Sequence, residues 1–176
     1  VDEEHEYDRF VSFIDTVAAA GCEIFFVHAR NAWLQGLSPK ENRDIPPLRY
    51  DWAYRLKQER PALTIAVNGG IATVADSLLH LQHTDGVMLG RAAYHDPYVL
   101  HQLDFALFGG ETRSRGELLR ALRPYVEARL ADGVALKHIT RHVLGLFHGQ
   151  PGGRGYRNRA PAARGSEPAG TLPGYS

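Results

Sequence analysis

One cysteine, one methionine and two tryptophans are all that this chain of 176 residues carries of those three types. A lone thiol, Cys22, excludes an internal disulfide framework and suits a reducing compartment. No apolar run reaches the roughly 18 residues of a membrane-crossing helix, and no signal peptide is recognisable, so a cytoplasmic protein without a membrane partner is expected. Net charge is missing as well. Twenty Lys and Arg balance twenty Asp and Glu, which removes the overall basic field of a general nucleic-acid binder. There is no evident internal repeat, and no metal is expected. Val1 to His5 lacks an initiator methionine and runs directly into a helical pattern, as a piece of a longer chain would.

What is present is enough apolar residue, 44% of the chain, to build a core, in an order that alternates helix and strand. Tyr7, Phe10, Val11, Ile14, Val17 and Ala18 fall at helical spacing, and Gly21 can cap that helix in the left-handed conformation. Glu23 to Val27 reads as a buried strand. His28 to Leu48 has little periodicity, and a loop of that length in a compact domain is functional or disordered; Trp33, Leu37 and Ile45 argue against disorder. A helix from about Asp51 to Glu59, capped by Asp51, leads to a strand at Leu63 to Val67. A capping box at Thr73 to Asp76 opens the next helix, Gly86 to Leu89 is a third strand, and Pro97 to Phe108 a further helix. Short apolar strands separated by helices indicate βαβ units and a parallel sheet.

After Gly109-Gly110 the strands stop. Ser114 to Glu117 has capping-box spacing ahead of Leu118, Leu119, Leu122, Val126 and Leu130, with a kink expected at Pro124. A second helix, about Leu136 to Phe147, would turn Ile139, Val143 and Leu146 inward and His138, Arg141 and His142 outward. Residues 1–111 are thus expected to form an α/β body and 112–159 a small helical appendage. Residues 160–176, rich in Ala, Pro and Gly, have the composition of a disordered tail.

The chemistry gathers at strand ends. Thr64 to Val67 runs into Asn68-Gly69-Gly70, and Gly86 to Leu89 into Gly90-Arg91. Glycines can bring bare N–H groups to an anion where a strand meets a helix, and the loops after the last two strands of a (β/α)8 barrel share a phosphate site. Asn68-Gly69-Gly70 alone is equally a plain tight turn; Gly90-Arg91, one strand away, adds a planar anion-binding fork. His28 closes the first strand and would point to the same end, toward a cofactor phosphate or ring. Lys40 and Arg43 are three apart in one loop. Arg154 and Arg157 repeat that spacing, with Tyr156 between them available to stack on a base. Each basic pair alone is also consistent with a solvated loop or a soluble tail. Cys22 precedes its strand, at the end opposite a barrel's chemistry, and reads as a buried structural thiol.

Five stretches in order closely resemble the tRNA-dihydrouridine synthases, A type. They are Phe26-Val27-His28-Ala29-Arg30, Leu37-Ser38-Pro39-Lys40-Glu41-Asn42-Arg43, Val67-Asn68-Gly69-Gly70-Ile71, Asp85-Gly86-Val87-Met88-Leu89-Gly90-Arg91 and His138-Ile139-Thr140-Arg141-His142. The resemblance runs from about residue 7 to Arg157. It implies the C-terminal portion of a TIM (β/α)8 barrel, about three parallel strands with helices, followed by a small all-α domain. It implies FMN as cofactor, NADPH as reductant and tRNA as partner, with uridine in the D-loop reduced to 5,6-dihydrouridine. By position, His28, Asn68, Gly69, Gly70, Gly90 and Arg91 resemble the flavin-binding residues, and Lys40, Arg43, Arg154 and Arg157 the cations that orient tRNA.

The family's first five strands and its proton-donating cysteine have no counterpart here. Residues 160–176 do not resemble the family's terminal helix. The chain alone is therefore expected to be inactive, and an incomplete barrel to self-associate. Two other functions fit the residues: a non-catalytic RNA-binding remnant, or another phosphate-binding barrel oxidoreductase using FMN.

Overall fold

The computed structural model describes residues 3–30, 36, 38, 41 and 46–162. The chain divides into two compact units, residues 1–90 and 91–176. The first is a three-stranded parallel sheet with helices. Helix α1 (Glu3–Ala19) precedes β1 (Ile24–His28), α2 (Tyr50–Glu59) leads to β2 (Thr64–Asn68), and α3 (Val74–His80) to β3 (Gly86–Met88). The strands lie in the order β1-β2-β3, and their register sets His28 beside Asn68 and Asn68 beside Met88. Gly21, at φ +98°, closes α1 with its N–H on the Ala18 carbonyl, as its position after an apolar helix implies.

Side chains alternate across a strand, so each strand has two unlike faces. Phe25 and Val27 of β1 and Ile65 and Val67 of β2 are buried with Ile14 of α1 and Ala53 and Leu56 of α2. Leu56, Ile65 and Val67 are completely covered; each such side chain stabilises by about 1.5–3 kcal/mol. The opposite face is open. Ile24, Phe26 and Met88 are 57%, 66% and 46% exposed. In the layer between them, Phe26, Ala66 and Gly86 stand in register, and a Cβ built on Gly86 would lie 3.2 Å from that of Ala66.

Asp51 does not cap α2. The helix begins one residue earlier, with Arg49 before it, and the Asp51 carboxylate is taken by the Arg49 guanidinium at 3.1 Å. Thr73 caps α3 as expected: its hydroxyl accepts the Asp76 N–H at 3.0 Å, and Asp76 returns the bond to the Thr73 N–H at 3.2 Å.

His80, in the last turn of α3, is 5% exposed. The Tyr54 hydroxyl lies 2.5 Å from its Nδ1, and the Tyr50 ring centroid is 4.2 Å from its own. Burial holds the imidazole below its ordinary pKa, with His83 adding to the effect and Asp76 opposing it. The ring is therefore neutral in the fold and takes a proton more readily when unfolded. Its contribution to stability is complete above the unfolded value of about 6.5 and shrinks as pH falls below it. Urea midpoints at pH 7 and pH 5 should differ, the lower pH being less stable, and His80→Phe should reduce that difference. Glu59 and Asp85, held below the ordinary carboxylate range by hydrogen bonds from Arg55 and from the Ile65 N–H, lose their contribution only in more acid solution.

In the second unit the described residues form helices and turns. These are α4 (Arg91–His95), α5 (Tyr98–Phe108), α6 (Arg115–Ala121), α7 (Arg123–Ala131), α8 (Leu136–Thr140), a 3-10 turn (Leu144–Phe147) and α9 (Gly153–Ala162). Compactness groups α4 and α5 with the later helices of this unit. The Arg115 guanidinium shows why: it pairs with Asp96 at 2.7 Å, donates to the Leu146 carbonyl and lies 4.1 Å over the Tyr98 ring. Ser114 and Glu117 form the expected capping box, and Pro124 sits in the first turn of α7, just after the break between α6 and α7.

Two expectations fail here. The helix expected over Leu136 to Phe147 breaks after Thr140, because the following turn presses its backbone on α4. A Cβ at Gly145 would overlap the His95 carbonyl. Tyr156 is not available to a base. It is 2% exposed, packed with Leu119, Leu146 and Phe147 in the core of this unit. Helix α9 also continues through Ala160 to Ala162, and residues beyond it lie outside those described.

Candidate functional site

The C-terminal ends of the three strands are stitched together by side chains. The Asn68 amide donates from Nδ2 to the Met88 carbonyl at 2.7 Å, which fixes its orientation and turns Oδ1 toward β1. There Oδ1 lies 2.6 Å from His28 Nδ1. An amide oxygen only accepts, so the hydrogen is on Nδ1, and His28 presents Nε2 outward from an exposed ring. Adjacent strands are about 4.8 Å apart, so the ends of β1 and β3 lie within about 10 Å of each other.

Gly69 and Gly70 follow, at φ +119° and +69°, conformations that a side chain would strain. A side chain would also press on Leu48, which would have to shift. A Cβ on Gly69 would lie 3.1 Å from Leu48 Cδ2, and one on Gly70 2.8 Å from Leu48 Cδ1. Among the described residues no acceptor takes the N–H of Gly69, Gly70 or Gly90. Gly69 is buried, so its turn carries donors that the fold itself does not use. Gly90 ends the first unit with open space on its Cβ side. Arg91, the next residue, begins α4 and is exposed.

Uncommitted N–H groups beside an imidazole and an amide suit a phosphomonoester, which offers several acceptor oxygens and negative charge. Sequence reasoning missed two residues that shape this turn, Leu48 and Tyr50. No local signal marks Tyr50, whose contact with the turn spans nineteen positions.

Cys22 is half-buried at the opposite end of β1, its Sγ 3.4 Å from the Ile24 carbonyl oxygen. Its position at the strand's N-terminal end is the one expected. Among the described residues no group of three or more His, Cys, Asp or Glu is arranged to hold a metal ion, and no helix is long and apolar enough to cross a membrane.

Of the four cations expected to meet RNA, Lys40 and Arg43 lie outside the described residues. Arg154 and Arg157 are both exposed on α9. The balanced total charge hides a division. From residue 91 onward there are twelve Lys and Arg against seven Asp and Glu, a net +5, and residues 1–90 carry the opposite excess. Arg115, Arg123 and Arg129 are paired with carboxylates. Lys137, Arg141, Arg154 and Arg157 have no carboxylate partner among the described residues.

Comparison with known proteins identifies the family. The family described as dihydrouridine synthase (Dus) matches residues 1–171. The chain is 69% identical over 157 residues to a tRNA-dihydrouridine(20/20a) synthase of Xanthomonas campestris pv. campestris, covering 89% of this chain and 47% of that protein. It is 62% identical over 158 residues to the protein of that name from Xylella fastidiosa strain 9a5c, with 89% and 46% covered. For that of Shewanella oneidensis the identity is 54% over 159 residues, with 89% and 48% covered. The chain spans about half the length of the curated relatives it matches. With residues 1–171 inside the family match, this chain belongs to the dihydrouridine synthase family.

Proposed function

We propose that this chain is part of a cytoplasmic tRNA-dihydrouridine synthase of the A type, reducing uridines 20 and 20a of the tRNA D-loop to 5,6-dihydrouridine with NADPH as reductant. The positions come from the names of its relatives. The observation that carries the proposal is the row His28–Asn68–Met88, hydrogen-bonded across three strand ends beside a turn whose glycine N–H groups are uncommitted.

In this reading β1 to β3 are the C-terminal strands of a (β/α)8 barrel, residues 1–111 its FMN-binding part and 112–159 an all-α domain that holds tRNA. The open face bearing Ile24, Phe26 and Met88 is what a barrel segment presents inward. FMN would be held by His28 and Asn68 and by the backbone of Gly69, Gly70 and Gly90, with the Arg91 guanidinium supplying charge. When bound and reduced, the flavin supplies hydride to C6 of the uracil ring. With Nδ1 held on Asn68, the His28 ring is oriented in advance and Nε2 would be the atom left to meet the cofactor. The proton that C5 needs has to come from elsewhere. Cys22, at the N-terminal end of β1, is not placed to give it. Lys40, Arg43, Arg154 and Arg157 would grip phosphates of the tRNA, setting register without reading bases.

The test is the colour of the purified chain. A bound flavin absorbing in the visible, released as FMN on denaturation, is expected. A colourless protein that takes up no FMN overturns the cofactor site. If it still binds tRNA, the non-catalytic RNA-binding reading replaces this one, which the excess of cations beyond residue 90 independently favours. Self-association through the open sheet is expected as well, and would appear as concentration-dependent mass in sedimentation.

A further inference from the structure

We propose that Tyr50 is a positioning residue for the phosphate: its hydroxyl holds the Gly69 carbonyl so that the Gly70 N–H is aimed at a phosphomonoester. This deepens, and rests on, the flavin-phosphate reading of the strand-end turn.

The Tyr50 hydroxyl donates to the Gly69 carbonyl oxygen at 2.5 Å. A peptide bond is planar and trans, so the carbonyl of Gly69 and the N–H of Gly70 point in opposite directions from one rigid plate. Holding the oxygen on the Tyr50 side turns the hydrogen to the other. No acceptor among the described residues takes that hydrogen. A glycine pair at positive φ is the part of the chain least able to hold a peptide plane unaided. Without the hydroxyl, the Gly69–Gly70 plate is free to rock and to offer its carbonyl, an acceptor, where an anion needs a donor.

Tyr50 is itself well fixed. Its ring lies against His80 of α3. On the other side, the segment leading into it is sewn to the strand ends. The Arg49 N–H donates to the Ala29 carbonyl at 2.6 Å, Leu48 bridges to Arg30, and the Ala29 N–H reaches the Asn68 carbonyl at 2.7 Å. A Cβ on Gly70 would also approach the Tyr50 hydroxyl to 3.1 Å, so the turn lies directly on this side chain. Burial raises the hydroxyl's pKa, and it remains a donor throughout the neutral range.

The experiment compares FMN with riboflavin, which lacks the phosphate, on the wild-type chain, Tyr50→Phe and Tyr54→Phe. Tyr54→Phe is the control, since it removes a hydroxyl bonded to His80 rather than to the turn. Wild type should prefer FMN. Tyr50→Phe should weaken FMN about 10-fold, the scale of one well-aimed hydrogen bond to a charged group, and leave riboflavin unchanged. Tyr54→Phe should preserve the preference. In the ligand-free proteins, the Gly70 amide resonance should move and exchange faster in Tyr50→Phe only. An unchanged FMN to riboflavin ratio in Tyr50→Phe, or a Gly70 amide that does not respond, overturns the role of Tyr50 while leaving the phosphate site standing. A wild-type chain with no preference for FMN overturns the phosphate reading and this inference with it.

Discussion

Asn68→Leu should weaken flavin binding sharply and lower stability by about 1–2 kcal/mol, from the loss of two side-chain hydrogen bonds worth up to roughly 1 kcal/mol each. Leucine keeps the same branched skeleton without its polar atoms, so the loss is mainly polar. It leaves the Met88 carbonyl and His28 Nδ1 without the partners now at 2.7 and 2.6 Å. His28 is exposed and can turn to water, which limits its share of the stability loss but removes the fixed orientation on which binding depends. FMN affinity is therefore expected to fall by more than about 10-fold, more than stability alone accounts for. Asn68→Asp separates the two roles. A carboxylate keeps an acceptor for His28, loses the donor to Met88 and adds negative charge where a phosphate has to sit. It should weaken FMN further than riboflavin. Urea denaturation and flavin fluorescence titration measure both quantities, and equal losses for the two flavins would refute a phosphate beside Asn68.

The second large effect concerns tRNA. Arg154→Glu with Arg157→Glu should weaken binding about 100-fold at low salt and make the dependence of log K on log salt shallower by roughly 1.5 to 2, the contribution of two phosphate contacts. The control is Arg123→Glu with Arg129→Glu, which imposes the same change of charge on guanidiniums already paired with Glu127 and Asp132. Filter binding over a salt series distinguishes them. Equal effects from both double variants would mean that tRNA responds to the general field of the second unit rather than to contacts on α9.

The features legible in the sequence are those written within a few neighbouring residues. Thr73 with Asp76 and Ser114 with Glu117 are capping boxes because each bond spans three positions, and Gly21 caps α1 from the next turn. The strand ends were readable for the same reason, since a short apolar run meeting glycines is a local pattern. Asp51 was misjudged because Arg49 competes for its carboxylate, a choice between two local partners. What could not be read depends on distant contacts. Tyr156 lies between two arginines, yet Phe147 and Leu119 decide that it is buried. The break after Thr140 follows from the approach of the Gly145 backbone to His95, fifty residues earlier in sequence. The hydroxyl of Tyr50 meets a carbonyl nineteen positions away, and no spacing rule announces that.

Because Tyr156 is anchored, α9 is not free to roll. An α-helix advances about 100° per residue, so Arg154 and Arg157 share a side that points away from the anchor. Their bearing toward any polyanion is thus dictated by an aromatic ring that never meets it. Loosening that anchorage, by shrinking Leu119 or Leu146 beneath the ring, would let the pair swing out of alignment and dull its grip without altering a single charge.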